Sequence, residues 1–214
     1  MPNSVNNNVR ALTLLILLAL IWGTSFILMK RGLQVFSPGE LGSLRVAAAS
    51  IFLLPIALIK VQGLNSGQYL KLFASGMMGI FFPAFLFALA QTRLESSVTG
   101  IMNSQTPICT LIIGVVFFHQ EFRKQSLIGI IIGLVGTVIL ILANTGGKIN
   151  GVNLYALFVI LACVFYATNL NFIKYRITDL KALTITSVSL MLIGPLPPSP
   201  RATSGAIESV PAVG

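Results

Sequence analysis

Acidic residues are scarce in this sequence: there are five among 214 residues, and charged residues of all types make up only 9%. Soluble domains carry about 25% charge, so a water-facing globule is a poor fit. Repeated passage through a bilayer explains the deficit, because charges at mid-membrane depth are costly. Glu40, Glu95, Glu121, Asp179 and Glu208 all fall at the edges of apolar runs or outside them. No carboxylate therefore stands at mid-membrane to carry a proton. Histidine is limited to His119 and cysteine to Cys109 and Cys163. One histidine gives no credible Ser-His-acid set, no cluster has metal-ligand spacing, and there is no P-loop. These absences argue against an enzyme and imply no cofactor and no metal. Both cysteines lie inside apolar runs and read as packed free thiols, not as a disulfide.

Basic residues outnumber acidic ones, giving a net charge of +9. They are scattered between apolar runs instead of clustering on one water-facing domain, so nucleic acid is not an expected partner. Apolar residues are abundant, at 55% of the chain, with a mean hydropathy of +0.91. A crossing needs about 20 apolar residues at roughly 1.5 Å of rise each. Runs of that kind occupy 11–29, 41–59, 70–90, 97–118, 127–143 and 152–173. A seventh starts near 182 and loses its apolar character at Pro195. The expected fold class is an all-α, polytopic membrane protein of about seven transmembrane helices, with the bilayer as its surroundings. The first run is too long for a signal-peptide core and is followed directly by others, so it reads as a retained anchor.

Loop charges set the expected orientation. With the N-terminus inside, the cytoplasmic segments hold Arg10, Lys60, Lys71, Arg123, Lys124, Lys174, Arg176 and Lys181. The outer loops hold Lys30, Arg31, Arg93 and Lys148. Eight against four favours a cytoplasmic N-terminus.

A shift of 144 residues lays Trp22-Gly23-Thr24 over Tyr166-Ala167-Thr168 and Lys30 over Lys174. Five spans separate the two copies, and an odd number inverts the second, as in transporters built from inverted repeats. The expected organisation is a cytoplasmic N-terminus (1–10), a first five-span unit (11–143) and a partial second unit of two spans (152–194). A tail (195–214) with five prolines reads as disordered. Either the protein is short with a loose tail, or the text is a truncated or frame-shifted reading of a longer gene. The abrupt change inside a half-built span favours the second.

The stretch IWGTSFILMKRGLQVFSPGELGSLRVAAAS, with Trp22-Gly23, Pro38 and Arg45, resembles the start of an EamA-type domain of the drug/metabolite transporter superfamily. Pro107, Glu121, Gly129 and Gly136 are similar to that domain's end. The resemblance implies ten spans in two inverted five-span units, placed in the inner membrane and moving small metabolites. The chain departs from the pattern in lacking spans eight to ten. It also lacks the mid-membrane glutamate used by the related small multidrug resistance proteins. The implied activity is secondary transport, as an exporter of small metabolites such as amino acids or drug-like compounds. The alternative is a non-transporting truncated protein, or a half-subunit that needs a partner.

Several residues are candidates for the transport pathway, each with a plainer reading. Thr99, Asn103, Thr106, Thr110 and Gly114 recur at helical spacing on one face of span four. Pro107 has no N–H, so the Asn103 carbonyl loses its helical partner on that face. Such a face suits either a substrate site or hydrogen bonding between helices. Trp22, Gly23, Thr24 and Ser25 sit mid-span, and they either line a cavity or pack closely through Gly23. Tyr166 and Asn169 are their repeat-related partners. Arg45 binds an anionic group, or else pairs structurally or snorkels to the outer interface. Glu121 reads as a local ion pair or helix cap, with gating the bolder choice, and His119 as a solvated loop residue. Gly129, Gly133 and Gly136 favour close helix packing within the chain or in a homo-oligomer. Span three carries four phenylalanines around Pro83 (Phe81, Phe82, Phe85 and Phe87), most of them expected to face lipid or neighbouring helices and one or two to line a pathway.

Overall fold

A computed structural model describes residues 3–121, 128–129, 131–133, 135–136, 139 and 154–194. Helix α1 (Asn3–Gly32) is apolar over most of its length and ends on Lys30 and Arg31, which complement the negative end of the helix dipole. A short turn leads to α2 (Pro38–Lys60), and its start is fixed by sequence chemistry. The Ser37 hydroxyl accepts from the Glu40 N–H at 3.3 Å, and the Ser37 N–H donates to the Glu40 carboxylate at 2.6 Å. This reciprocal cap has Pro38 in the first turn, where its missing N–H costs nothing. Asn65 and Gln68 build the same cap on α3 (Ser66–Gly76), with both bonds at 2.9 Å.

The third span continues from α3 through a π-helical stretch (Met77–Phe81) into α4 (Phe82–Gln91). The wide turn lies just ahead of Pro83, and the Phe82 N–H reaches back to the Met77 carbonyl. Proline cannot supply an ordinary helical donor, and a π turn re-registers the ladder around it. The fourth span is also interrupted. Helix α5 (Ser96–Asn103) ends at a turn over Ser104 and Gln105, and α6 (Thr106–Phe118) starts with Pro107 in its first turn. The polar face expected on one continuous helix is thus shared by two. Helix α7 (Leu154–Arg176) forms the next span, and α8 (Ala182–Ile193) follows it.

Among the described residues, five stretches are long and apolar enough to cross a bilayer: Val9–Gly32, Pro38–Gly63, Ser66–Gln91, Ser96–Phe118 and Leu154–Arg176. They coincide with the first, second, third, fourth and sixth runs read from the sequence. The fifth run falls largely outside the described residues, and those described within it are helical. The seventh is a helix of 12 residues, about 18 Å long against a hydrocarbon core of about 30 Å. The tail at 195–214 lies outside the described residues.

Apolar surface faces outward. Phe52 is 82% exposed and Phe117 73%, whereas the amide-bearing Gln91 is fully buried. This inverts the distribution of a soluble protein and gives lipid the contact with apolar side chains. The chain is a multi-pass membrane protein.

Small residues let the helices approach each other. A methyl group at Gly42 would meet the Phe85 ring at 3.0 Å, and one at Gly76 would meet Ile193 at 2.9 Å. Helix α8 is seated between α2 and α3 by two buried hydroxyls: Ser50 donates to the Leu190 carbonyl at 3.1 Å, and Ser189 to the Leu72 carbonyl at 2.8 Å. Helix α7 packs on α4 and α6, and its Val159, Ala162 and Cys163 join Met29, Leu41, Phe87 and Leu94 in the main core. At the loop between α7 and α8, the Gln68 amide donates to the Asp179 carboxylate and holds that carboxyl below its ordinary pKa. Among the described spans, helix α1 is the least buried.

Candidate functional site

Two adjoining cavities open among α1, α5, α6 and α7. The larger, about 1060 Å³, lies mainly between α1 and the α5–α6 break. The smaller, about 220 Å³, lies between α1, α2 and α7. Trp22, Phe26 and Asn103 line both.

The break in span four shapes this region. Pro107 deprives the Asn103 carbonyl of its helical donor, but that oxygen is not left open as the sequence suggested. The Thr106 hydroxyl donates to it at 2.8 Å and lies 3.2 Å from the Asn103 side-chain Oδ1. The Cys163 thiol approaches from α7, with its Sγ 3.8 Å from the Met102 carbonyl and 3.9 Å from Asn103 Oδ1. One turn further on, the Thr110 hydroxyl donates to the Thr106 carbonyl at 2.7 Å. The Thr110 carbonyl accepts from the Asn171 amide at 2.9 Å, which ties α6 to α7. Gly114 gives that tie its room, since a methyl there would come within 2.9 Å of Asn171 and 2.8 Å of Gln120. Asn103, Thr106, Pro107 and Thr110 all border the larger cavity. Thr99, fully buried, donates back to the Glu95 carbonyl instead.

Across the cavity the repeat-related aromatics meet: the Trp22 and Tyr166 rings are 6.2 Å apart and tilted by 34°. Phe87 extends the group, 5.9 Å from Tyr166 and 5.4 Å from Phe26. Nothing lies within 4 Å of a methyl placed at Gly23. That glycine borders the larger cavity and does not draw another helix close. Trp22, Ser25, Phe26 and Met29 recur at i, i+3, i+4 and i+7, so one face of α1 supplies four residues to the smaller cavity. That periodicity would have added Phe26 and Met29 to the candidates.

Arg45 turns inward. One of its terminal nitrogens donates to the Ser25 hydroxyl at 3.2 Å, and the other lies 3.8 Å from the Met29 sulfur. Ser25 is seven residues before the end of α1, about 10 Å of helix rise. Snorkelling to the outer surface is therefore not its arrangement here. Among the described residues no carboxylate lines either cavity, and Arg45 is the one charged residue in their walls.

Other candidates stand elsewhere. The Thr24 hydroxyl is exposed and bonds back to the Leu20 and Ile21 carbonyls. Asn169 accepts from the Ser75 hydroxyl at 2.8 Å, linking α7 to α3 beside Gly79. Glu121 lines neither cavity, but its neighbour Gln120 lines the larger one and accepts from Lys174 at 3.2 Å and from Tyr175 at 3.3 Å. Nothing in the sequence marked Gln120 apart from its place at a span's end. His119 ends α6 in the left-handed conformation, with φ of 51°. Gly129 and Gly133 border the larger cavity, and a methyl at either of them or at Gly136 would meet nothing within 4 Å.

A family model described as the EamA-like transporter family matches residues 9–142. The chain belongs to this family. It is 26% identical over 177 residues to an "uncharacterized transporter" of Archaeoglobus fulgidus, covering 82% of this chain and 61% of that protein. It is 26% identical over 145 residues to a "probable amino-acid metabolite efflux pump" of Salmonella typhimurium, covering 63% and 44%. A third relative, the "uncharacterized inner membrane transporter YedA" of Escherichia coli, is 24% identical over 154 residues, covering 70% and 48%. The chain thus spans about half to three fifths of the length of these relatives. No solved structure matches it. Family and relatives point to transport and not to enzyme chemistry.

If the Thr106 hydroxyl replaces the donor that Pro107 lacks, Thr106→Val should destabilise the protein by about 1–3 kcal/mol, the cost of an unpaired buried acceptor. Thr106→Ser should behave like the parent. Unfolding midpoints of the three proteins in the same detergent test this, and equal midpoints for Thr106→Val and the parent contradict it.

Proposed function

We propose that this chain provides the substrate pathway of a secondary transporter that exports small organic metabolites, such as amino acids or drug-like compounds, across the inner membrane. The observation that carries this reading is the pair of cavities lined at mid-span by Trp22, Asn103, Thr106 and Tyr166. A largely apolar cavity with a few convergent polar groups is the usual form of a small-molecule site. The break at Pro107 puts irregular backbone beside the larger one, as in transporters whose interrupted helices border the substrate. The efflux and inner-membrane names of two relatives support direction and location. A second reading, a half-transporter that needs a partner, is favoured by the exposed apolar side chains all along α1.

Efflux from inverted and right-side-out vesicles, measured across a metabolite panel, should differ between membranes with and without the protein. Trp22→Ala and Asn103→Ala should each lower that flux by roughly tenfold or more at unchanged membrane levels, as expected when a group contacting the solute is removed. Undiminished flux in both variants rules out these cavities as the pathway. Absence of flux by the chain alone, restored by co-expression with a partner, favours the second reading.

The loop charges also favour a cytoplasmic N-terminus. A green fluorescent protein fused after Gly63 should fluoresce, and alkaline phosphatase fused after Arg93 should be active. The reverse pattern inverts the topology.

A further inference from the structure

A guanidinium presents five N–H donors, and the acceptors the structure sets against Arg45 are both neutral, the Ser25 hydroxyl and the Met29 sulfur. The same small cavity is walled by Tyr166, Asn103 and Trp22, each able to donate, and among the described residues by no acidic one. A charge held at this depth without a counter-charge is costly, and an anionic ligand would supply one. We propose that the smaller cavity is a carboxylate subsite, in which Arg45 receives the carboxylate of a substrate whose apolar part lies in the larger cavity.

The volumes fit this division. About 220 Å³ admits a carboxylate and the carbons next to it, and the wall residues Trp22, Phe26 and Asn103 are shared with the neighbouring cavity of about 1060 Å³, which is also walled by Ile108, Leu111 and Leu170. Arginine suits the task, because its planar fork matches a carboxylate with two parallel hydrogen bonds. The charge balance narrows the ligand class. One fixed positive charge neutralises one carboxylate, while an α-ammonium in the same place would meet Arg45 and no acid. The site thus favours a monocarboxylate over a zwitterionic amino acid of the same skeleton. This inference rests on the transport reading above and narrows its substrate to monocarboxylates, away from the amino acids named there.

The test uses the full 214-residue chain in lipid nanodiscs and three probes of one skeleton at neutral pH: 3-phenylpropanoate, 3-phenylpropanamide and phenylalanine. The parent should bind 3-phenylpropanoate about tenfold or more tighter than either other probe, the size expected of a charge-assisted hydrogen bond. Arg45→Met should abolish that preference while leaving affinity for the amide within about twofold, and Arg45→Lys should keep part of it. Equal binding of acid and amide by the parent overturns the subsite, as does an undiminished preference in Arg45→Met. If Arg45→Met does not fold, the parent's acid-to-amide ratio still decides. Failure of all three probes to bind also overturns the subsite. The vesicle flux described above reports separately on whether transport itself fails.

Discussion

Inside a bilayer an unpaired backbone carbonyl has no water to turn to, and the form of this protein follows from how each break in a span is repaired. At Pro83 and Pro107, where proline removes a donor, another hydrogen-bond register or another group replaces it. Ahead of Pro83 the ladder widens into a π turn. At Pro107 the helix stops and restarts, and the Thr106 hydroxyl takes up the Asn103 carbonyl. Threonine carries out this repair well, because its short side chain bonds back to a carbonyl one turn earlier without leaving the helix. The same residue type is thus needed for the scaffold and exposed on the wall of a cavity.

These repairs bear on function because they coincide with the space between helices. The α5–α6 break puts Asn103 where the two cavities join, and α7 closes against it with a buried thiol and an amide tie from Asn171. On the facing side Trp22 and Tyr166 approach each other from α1 and α7. These are the residues that a shift of 144 superimposes. Arg45 brings the one charge among the described lining residues, held by a hydroxyl one helix away. The result is a polar centre of few parts inside a bundle whose outer surface is apolar.

Much of this was legible in the sequence, for physical reasons. Span length and composition are set by bilayer thickness, so five of the seven runs appear as helices of the expected extent. Trp22, Ser25, Asn103, Thr106, Pro107, Thr110 and Tyr166 line the cavities because a polar or amphipathic residue at mid-span has few other places to go. What was not legible depends on which helices are neighbours. Asn169 and Tyr166 lie three apart on α7, yet one meets Ser75 and the other lines the smaller cavity. Thr24 differs from Ser25 by one position, and that rotation turns its hydroxyl to the outer face of α1. The direction of Arg45 was undecided for the same reason, since its reach allows either surface or interior and only the position of Ser25 settles it.

If the larger cavity inside the apolar bundle is open to water, as a solute pathway requires, the reactivity of single cysteines shows it most directly. With Cys109 and Cys163 replaced by alanine, cysteine would be introduced by Trp22→Cys, Leu111→Cys, Leu18→Cys and Ile51→Cys. Trp22 and Leu111 line the larger cavity, whereas Leu18 and Ile51 are exposed on the outside of their helices, at 52% and 69%. A charged methanethiosulfonate reaches a thiol only through water, and thiols react as thiolates. In intact membranes Trp22→Cys and Leu111→Cys should be modified rapidly, and Leu18→Cys and Ile51→Cys should remain unmodified. Equal reactivity at all four positions would contradict the account.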